Sequence, residues 1–313
     1  MKKILYINYG VTKECGVYDL GLRHFNAIKD IEDFSNYIMV YAEVNGFYEY
    51  ISKLYDHTPD LVIINYLAGL SPWLQDHISV CPTICVPHDM RAGDYNLFRR
   101  DDLFDYYIIL DKNIQGDDKI FNTDRPLKFY DNLNVKQNKV PNIGSFGFAL
   151  THKNFHLIVR QVNKEFDEAE INFHMPKAYY DHENQTPQVI KECVAEITKP
   201  GIKLNITHDF LSENEVIEHL GKNDINCLFY DKDRDLGISS SLDFLMSAQK
   251  PILITQSPMF RSFSGELPKL PETTLMEIWN NYENYRVNVR DTFNSSHNNI
   301  LVQTKTIFDK VLN

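Results

Sequence analysis

Three observations predict an α/β protein built from two doubly wound domains. Its strand candidates are short, continuous apolar blocks; they alternate with helix-like segments from end to end; and they fall into two successive sets. The first set is KILYINY (3–9), YIMVYA (37–42), DLVIINY (60–66), TICVPH (83–88) and YYIILD (106–111). The second is PNIGSFGF (141–148), EINFHM (170–175), KLNITHDF (203–210), INCLFYD (225–231) and PILIT (251–255). A strand that is apolar along its whole length has to be covered on both faces, and parallel sheets flanked by helices provide that cover. Apolar spacing places the intervening helices at 17–29, 47–56, 154–167, 187–198, 213–222 and 240–249.

The polar stretch DNLNVKQNK, 131–139, separates the sets. The expected domains are therefore 1–138 and 139–285, with a C-terminal helical segment at 286–313. Within that segment ILVQTKTIFDKVL (300–312) has apolar residues at helical spacing, suited to packing on one domain or bridging both. Ligands of open α/β sheets bind outside the carboxyl ends of the strands. The two domains are accordingly expected to face each other across a cleft.

Bulk properties narrow the function. A length of 313 residues suits two domains, and a net charge of −11 argues against nucleic acid or an anionic membrane as the main partner. No apolar run approaches the length of a transmembrane helix, and MKKILYINYG reads as a first strand rather than a signal peptide. Cys15, Cys81, Cys85, Cys193 and Cys227 form no CxxC pair, so free thiols in a cytoplasmic setting are expected.

Residues 224–255 carry the most chemistry. INCLFYD is a strand, LGISSS a small-residue turn and SLDFLMSAQ a helix, followed by the strand ILIT. A helix whose first turn holds glycine and serines presents free N–H groups and a positive dipole end, which together make an anion site. Asp231, Asp233 and Asp235 precede the turn and Asp243 follows it. Anion donors beside carboxylates suit a ligand with both phosphates and hydroxyls, such as a sugar nucleotide. The plainer alternative is a capping box, Ser240-x-x-Asp243.

Three other segments join it. CGVYDLGLRHF (15–25) puts Gly16 and Gly21 after the first strand, where a tight turn or close backbone approach needs them. PTICVPHDM (82–90) delivers His88 and Asp89 at a strand end, within reach of a sugar hydroxyl or phosphate. IGSFGFALTHKNF (143–155) ends a strand at Gly147 and sets Lys153 at the mouth of the next helix, placed to pair with a diphosphate. Asp231-Lys232-Asp233 has the D-x-D form of a metal loop and is taken as a solvated turn. No Walker loop, G-x-G-x-x-G fingerprint or G-x-S-x-G elbow occurs.

In this order the segments resemble the GT-B glycosyltransferases, and most closely the family-4 retaining enzymes. Gly16 matches one glycine of that family's N-terminal loop, and His88-Asp89 its strand-end pair. GFALTHKN (147–154) is similar to its G-R-L-x-x-x-K-G segment, with Lys153 at the diphosphate-binding lysine and Phe148 in place of the arginine. Asp235-x7-Asp243 falls where the family carries Glu-x7-Glu; an ungapped match would bring Phe244 to the second acid.

The resemblance implies two Rossmann-like domains and a glycosyltransferase moving a sugar from a nucleotide diphosphate. The acceptor would be a glycan, lipid or small molecule, with retention of configuration and no metal or other cofactor. It assigns catalysis to His88 and Asp235, and donor binding to Gly16, Lys153, Gly237, Ser239, Ser240, Ser241 and Asp243. Phe148 and the shortened acids leave open a degenerate relative that binds a nucleotide or glycan without transfer. A metal-dependent GT-A arrangement is disfavoured by the two sets of strands.

Overall fold

The computed structural model describes residues 1–10, 16–67, 79–88, 90–91, 93–100, 102–130, 133, 136–177 and 183–312. The chain divides into two compact units. One comprises Met1–Leu127, Leu236–Ile238 and Ser295–Asn313; the other Lys128–Asp235 and Ser239–Asn294. The division after residue 127 comes earlier than the polar stretch at 131–139 suggests.

In the first unit β1 (Lys2–Tyr9), β2 (Tyr37–Val44), β3 (Leu61–Tyr66), β4 (Thr83–Pro87), β5 (Tyr106–Ile109) and β6 (Ile120–Asn122) form one parallel sheet, ordered β2-β1-β3-β4-β5-β6. Alternate residues of each strand go to opposite faces. Ile4, Tyr6, Ile63, Ile84 and Ile108 pack on one side with Leu20 and Ile28 of α1 (Gly16–Ile28). Leu5, Ile7, Val62, Ile64 and Tyr107 pack on the other with Tyr50 and Leu54 of α2 (Phe47–His57). Each such side chain contributes about 1.5–3 kcal/mol by leaving water, so burial on both faces holds the sheet. The three-residue β6 is too short to show a pattern in the sequence. It is positioned by the Asp117 carboxylate, which accepts the N–H groups of Lys119 and Ile120 at 2.9 and 2.7 Å.

The second unit repeats the principle with β7 (Asn142–Phe146), β8 (Glu168–His174), β9 (Gly201–Thr207), β10 (Ile225–Leu228) and β11 (Ile252–Ile254), ordered β11-β10-β7-β8-β9 and parallel throughout. Phe155, Ile158 and Val162 of α3 (Phe155–Glu165) cover Ile143, Ile171 and Ile225 on one face. α4 (Thr186–Ala195), α5 (Glu213–Gly221), α6 (Ser240–Ser247) and α7 (Leu275–Asn280) complete the unit.

On β7, Gly144 gives room to the buried Asn223 side chain. Asn223 donates to Asn226 Oδ1 at 2.9 Å and accepts from Asn172 at 3.2 Å. A Cβ at Gly144 would lie 1.8 Å from Asn223 Nδ2. Gly144→Ala should therefore cost about 1–3 kcal/mol of stability through overpacking, read as a lower midpoint in urea unfolding.

In both sheets the chain leaves a central strand first to one side and then to the other. The reversals fall between β1 and β3 in the first unit and between β7 and β10 in the second. The carboxyl ends of those strands are where ligands of such sheets bind.

The final helix, α8, runs over Tyr282–Leu312, far longer than the predicted 300–312. Its buried residues Val289, Phe293, Ser296, Ile300, Thr304, Ile307 and Phe308 recur at helical spacing. Ser296 interrupts the apolar pattern, which hides the first half of the helix in the sequence.

Candidate functional site

At the second unit's reversal point, β7 ends and Gly147 takes a φ of 137°, a conformation open to glycine. The chain then makes a 3₁₀ turn over Thr151–Lys153. Asn154, at φ 49°, closes that turn, its amide donating to the Phe229 carbonyl at 3.1 Å and to Asp231 at 2.7 Å. Asp231 N–H in turn donates to the His152 carbonyl at 3.0 Å. The start of the D-x-D stretch thus pins the turn after β7 to the end of β10.

This brings the Lys153 side chain inward, where it is only 9% exposed. Among the described residues its amine is met by rings, not by a carboxylate. Nζ lies 5.3 Å from the centre of the Tyr230 ring and 5.7 Å from that of Phe148. Cation–π contacts of this kind are worth about 0.5–2 kcal/mol each, less than the ion pair a buried ammonium ordinarily requires. A Cβ at Gly147 would stand 2.5 Å from Lys153 Nζ and 2.8 Å from Ser241 Oγ, so amine and hydroxyl converge over the glycine.

Ser241 belongs to the first turn of α6. Ser239 is that helix's N-cap residue, and its side chain makes no capping hydrogen bond. The Ser240-x-x-Asp243 box does not form, because Ser240 is already the first helical residue and Leu242 holds the third position. Ser239 instead donates its hydroxyl to Tyr230 at 3.3 Å and its N–H to the Met259 carbonyl at 2.9 Å. The Ser239 side chain thus leaves the first-turn N–H groups of α6 uncapped, and the start of the helix carries its partial positive charge. Tyr230 touches Lys153, Ser239, His152 and Phe260, a role that the sequence pattern does not single out. Its position just after β10 was the available signal.

Asp243 is fully buried in α6, whereas the neighbouring Phe244 sets its edge against Phe146 at 5.1 Å. Asp235 is half-buried and belongs to the second unit, whereas Gly237, at φ 75°, groups with the first and donates its N–H to the Met90 carbonyl at 3.2 Å.

At the first unit's reversal point, Asn8 and Asn65 are the next-to-last residues of β1 and β3, and His88 follows β4. Asn65 donates to Asn8 Oδ1 at 2.8 Å and to the Val17 carbonyl of α1 at 2.9 Å, and its own Oδ1 meets His88 Nε2. Gly21 lets α1 come this close, since a Cβ there would lie 2.3 Å from Asn65 Nδ2. Gly16 opens α1. Cys15 and Asp89 lie outside the described residues.

Burial pushes the His88 imidazole down to about 3, with Arg125 and then His24 adding to the effect. Burial likewise brings His24 to about 3 and His152 and His174 to about 4. These groups are neutral in the folded chain, while the unfolded chain takes up protons below its ordinary value of 6.5. Their contribution to stability is complete above pH 6.5 and is lost as pH falls toward 4, at up to about 1.4 kcal/mol per pH unit per histidine. Melting temperature should fall steadily over that interval; a flat profile would contradict the burial of these rings.

No protein-family model matches the chain, and no curated protein matches it in sequence. Solved structures do match it. A glycosyltransferase from Rickettsia africae ESF-5 superposes with a TM-score of 0.68 at 13% identity, covering 100% of this chain and 99% of that one. HepE of Anabaena, in complex with UDP and glucose, gives 0.64 at 11% identity, with 99% of each chain covered. The fold is that of the GT-B glycosyltransferases. A trehalose-6-phosphate structure from E. coli, bound with UDP-2-fluoro glucose, agrees at 0.65 and 10% identity over 99% of each chain.

Within the GT-B framework the structure brings Lys153, Ser239 and Ser241 to one end of the second sheet, and His88 to the equivalent end of the first. Phe148, which stands where the resemblance places an arginine, turns its ring toward Lys153. Among the described residues no group of three or more His, Cys, Asp or Glu could hold a metal ion, and no helix is long and apolar enough to cross a membrane.

Proposed function

We propose that the protein is a glycosyltransferase that moves a sugar from a nucleotide diphosphate to a glycan, lipid or small-molecule acceptor. One observation carries this reading: a buried lysine amine with no carboxylate partner among the described residues converges with a serine hydroxyl beside the first turn of α6, which the Ser239 side chain leaves uncapped. A diphosphate supplies the missing negative charge. Charge that develops on the leaving phosphate oxygen during transfer is then stabilised by Lys153 and by the N–H groups of Ser240 and Ser241.

Because the protein provides that positive charge, transfer needs no divalent metal. In this scheme Asp235 orients the donor sugar, Asp243 serves the ribose, His88 bonds a sugar hydroxyl, and Gly16 and Gly237 allow close backbone approach. Configuration at the anomeric carbon is retained, as in the enzymes whose motif this chain resembles. Cys81, Cys85, Cys193 and Cys227 are free thiols, which fits a cytoplasmic location.

UDP is the first donor base to test, since two of the similar structures hold UDP or a UDP-sugar. UDP should raise the melting temperature, and one member of a panel of UDP-, GDP- and ADP-sugars should be hydrolysed or transferred with EDTA present. Loss of activity in EDTA would count against the metal-free scheme. A second reading, a protein that binds the donor without transferring it, is favoured by Phe148, which brings no charge where the resemblance expects an arginine. Stabilisation by UDP with no turnover of any donor would establish that reading instead.

A further inference from the structure

Asn8 and Asn65 are almost completely buried, with 0% and 2% of their surface exposed, and the hydrophobic core has no use for two amides. Their orientations are fixed by neighbours that can play only one role. A backbone carbonyl only accepts, so the atom of Asn65 facing the Val17 carbonyl at 2.9 Å is the donating Nδ2. The same amine donates to Asn8 Oδ1 at 2.8 Å. Asn8 is oriented likewise: its Nδ2 donates to the Tyr18 carbonyl and to Tyr41 Oη, both at 3.0 Å, and its Oδ1 accepts from Tyr9 N–H at 3.1 Å.

Asn65 must then present its carbonyl oxygen, a pure acceptor, to His88 Nε2. A neutral imidazole carries a single N–H, and here that hydrogen has to sit on Nε2. Nδ1 is left with its lone pair. It has no hydrogen-bond partner among the described residues and does not rank among the sealed, unsatisfied polar atoms of the interior.

We propose that Asn65, held by Asn8 and by the first turn of α1, is a positioning residue that locks His88 in the Nε2–H tautomer and so presents Nδ1 as an acceptor for a hydroxyl of the bound sugar. The sugar half of the proposal rests on the glycosyltransferase reading; the tautomer does not. His88 stays neutral to about pH 3, so Nδ1 accepts a hydrogen bond without removing the proton. Asn65→Ala frees the ring to populate both tautomers. Asn65→Asp keeps an acceptor opposite Nε2 and places a carboxylate there, which draws the His88 pKa upward.

The test is long-range ¹⁵N–¹H NMR on histidine-labelled protein, with His88 identified by the resonances missing in His88→Gln. The expected result is a protonated Nε2 and an unprotonated Nδ1 in the wild type, a mixture in Asn65→Ala, and a raised His88 titration in Asn65→Asp. A wild-type ring protonated at Nδ1 overturns the proposal, as does a folded Asn65→Ala with an unchanged tautomer. If Asn65→Ala does not fold, an unmoved His88 titration in Asn65→Asp overturns it. A purely structural asparagine would lower the melting temperature and leave the tautomer alone. With a donor that turns over, Asn65→Ala should lower kcat/KM about tenfold, the worth of one hydrogen bond. Absence of any turnover in the wild type would defeat the glycosyltransferase reading while leaving the NMR result to stand or fall by itself.

Discussion

Replacing Lys153 by methionine should weaken UDP binding about 10- to 100-fold while leaving the unliganded protein at least as stable. A hydrogen bond to a charged group is worth about 1.5–3 kcal/mol, and each 1.4 kcal/mol is a factor of ten in affinity. The unusual part of the expectation is the stability. Deleting one member of a buried ion pair ordinarily costs several kcal/mol, because the partner is left charged and alone. Among the described residues Lys153 leaves no such partner behind, since its amine faces the rings of Tyr230 and Phe148. Methionine keeps most of the length and the contact with Tyr230 and Phe148. Calorimetric titration with UDP and thermal melts of the apo protein measure the two halves separately. Unchanged UDP affinity would remove Lys153 from the site, and a large drop in apo stability would show that its charge is structural.

Gly147→Ala should strike the same site through the backbone. Glycine alone adopts a φ of 137° without strain, and forcing another residue into a sparsely populated region costs about 1–3 kcal/mol. The new methyl group would also lie 2.5 Å from Lys153 Nζ and 2.8 Å from Ser241 Oγ. Both of those atoms end flexible side chains, so they move rather than break the fold. The expected outcome is therefore a lower melting temperature together with a loss of UDP affinity comparable to that of Lys153→Met. Loss of stability with intact affinity would mean that the convergence of amine and hydroxyl over Gly147 has no role in binding.

Most of the fold was legible because a parallel sheet requires strands that are apolar on both faces, and such blocks stand out without any partner being known. The elements that the pattern does not show have a local cause in each case. β6 is three residues long and is set by side-chain caps from Asp117. The first half of α8 uses Ser296 among its buried positions and therefore lacks an apolar stripe. At the site, Lys153 was identifiable as a basic residue at a strand-to-helix turn. The ring that confronts it, Tyr230, was not, since an aromatic residue at a strand end is indistinguishable from core until the turn folds over it. The asparagines behind His88 were equally silent. Asn8 and Asn65 lie 57 residues apart, and only the parallel pairing of β1 with β3 sets them side by side.

The first unit draws its residues from both ends of the chain. Ile300, Ile307 and Phe308 of α8 pack into the same core as Ile4 and Tyr6. During synthesis, β1 leaves the ribosome long before the helix that finishes its covering. The second unit, which ends at Asn294, is complete before the first can close. One face of the first sheet therefore stays partly bare until Ile300, Ile307 and Phe308 have been made and can pack onto it.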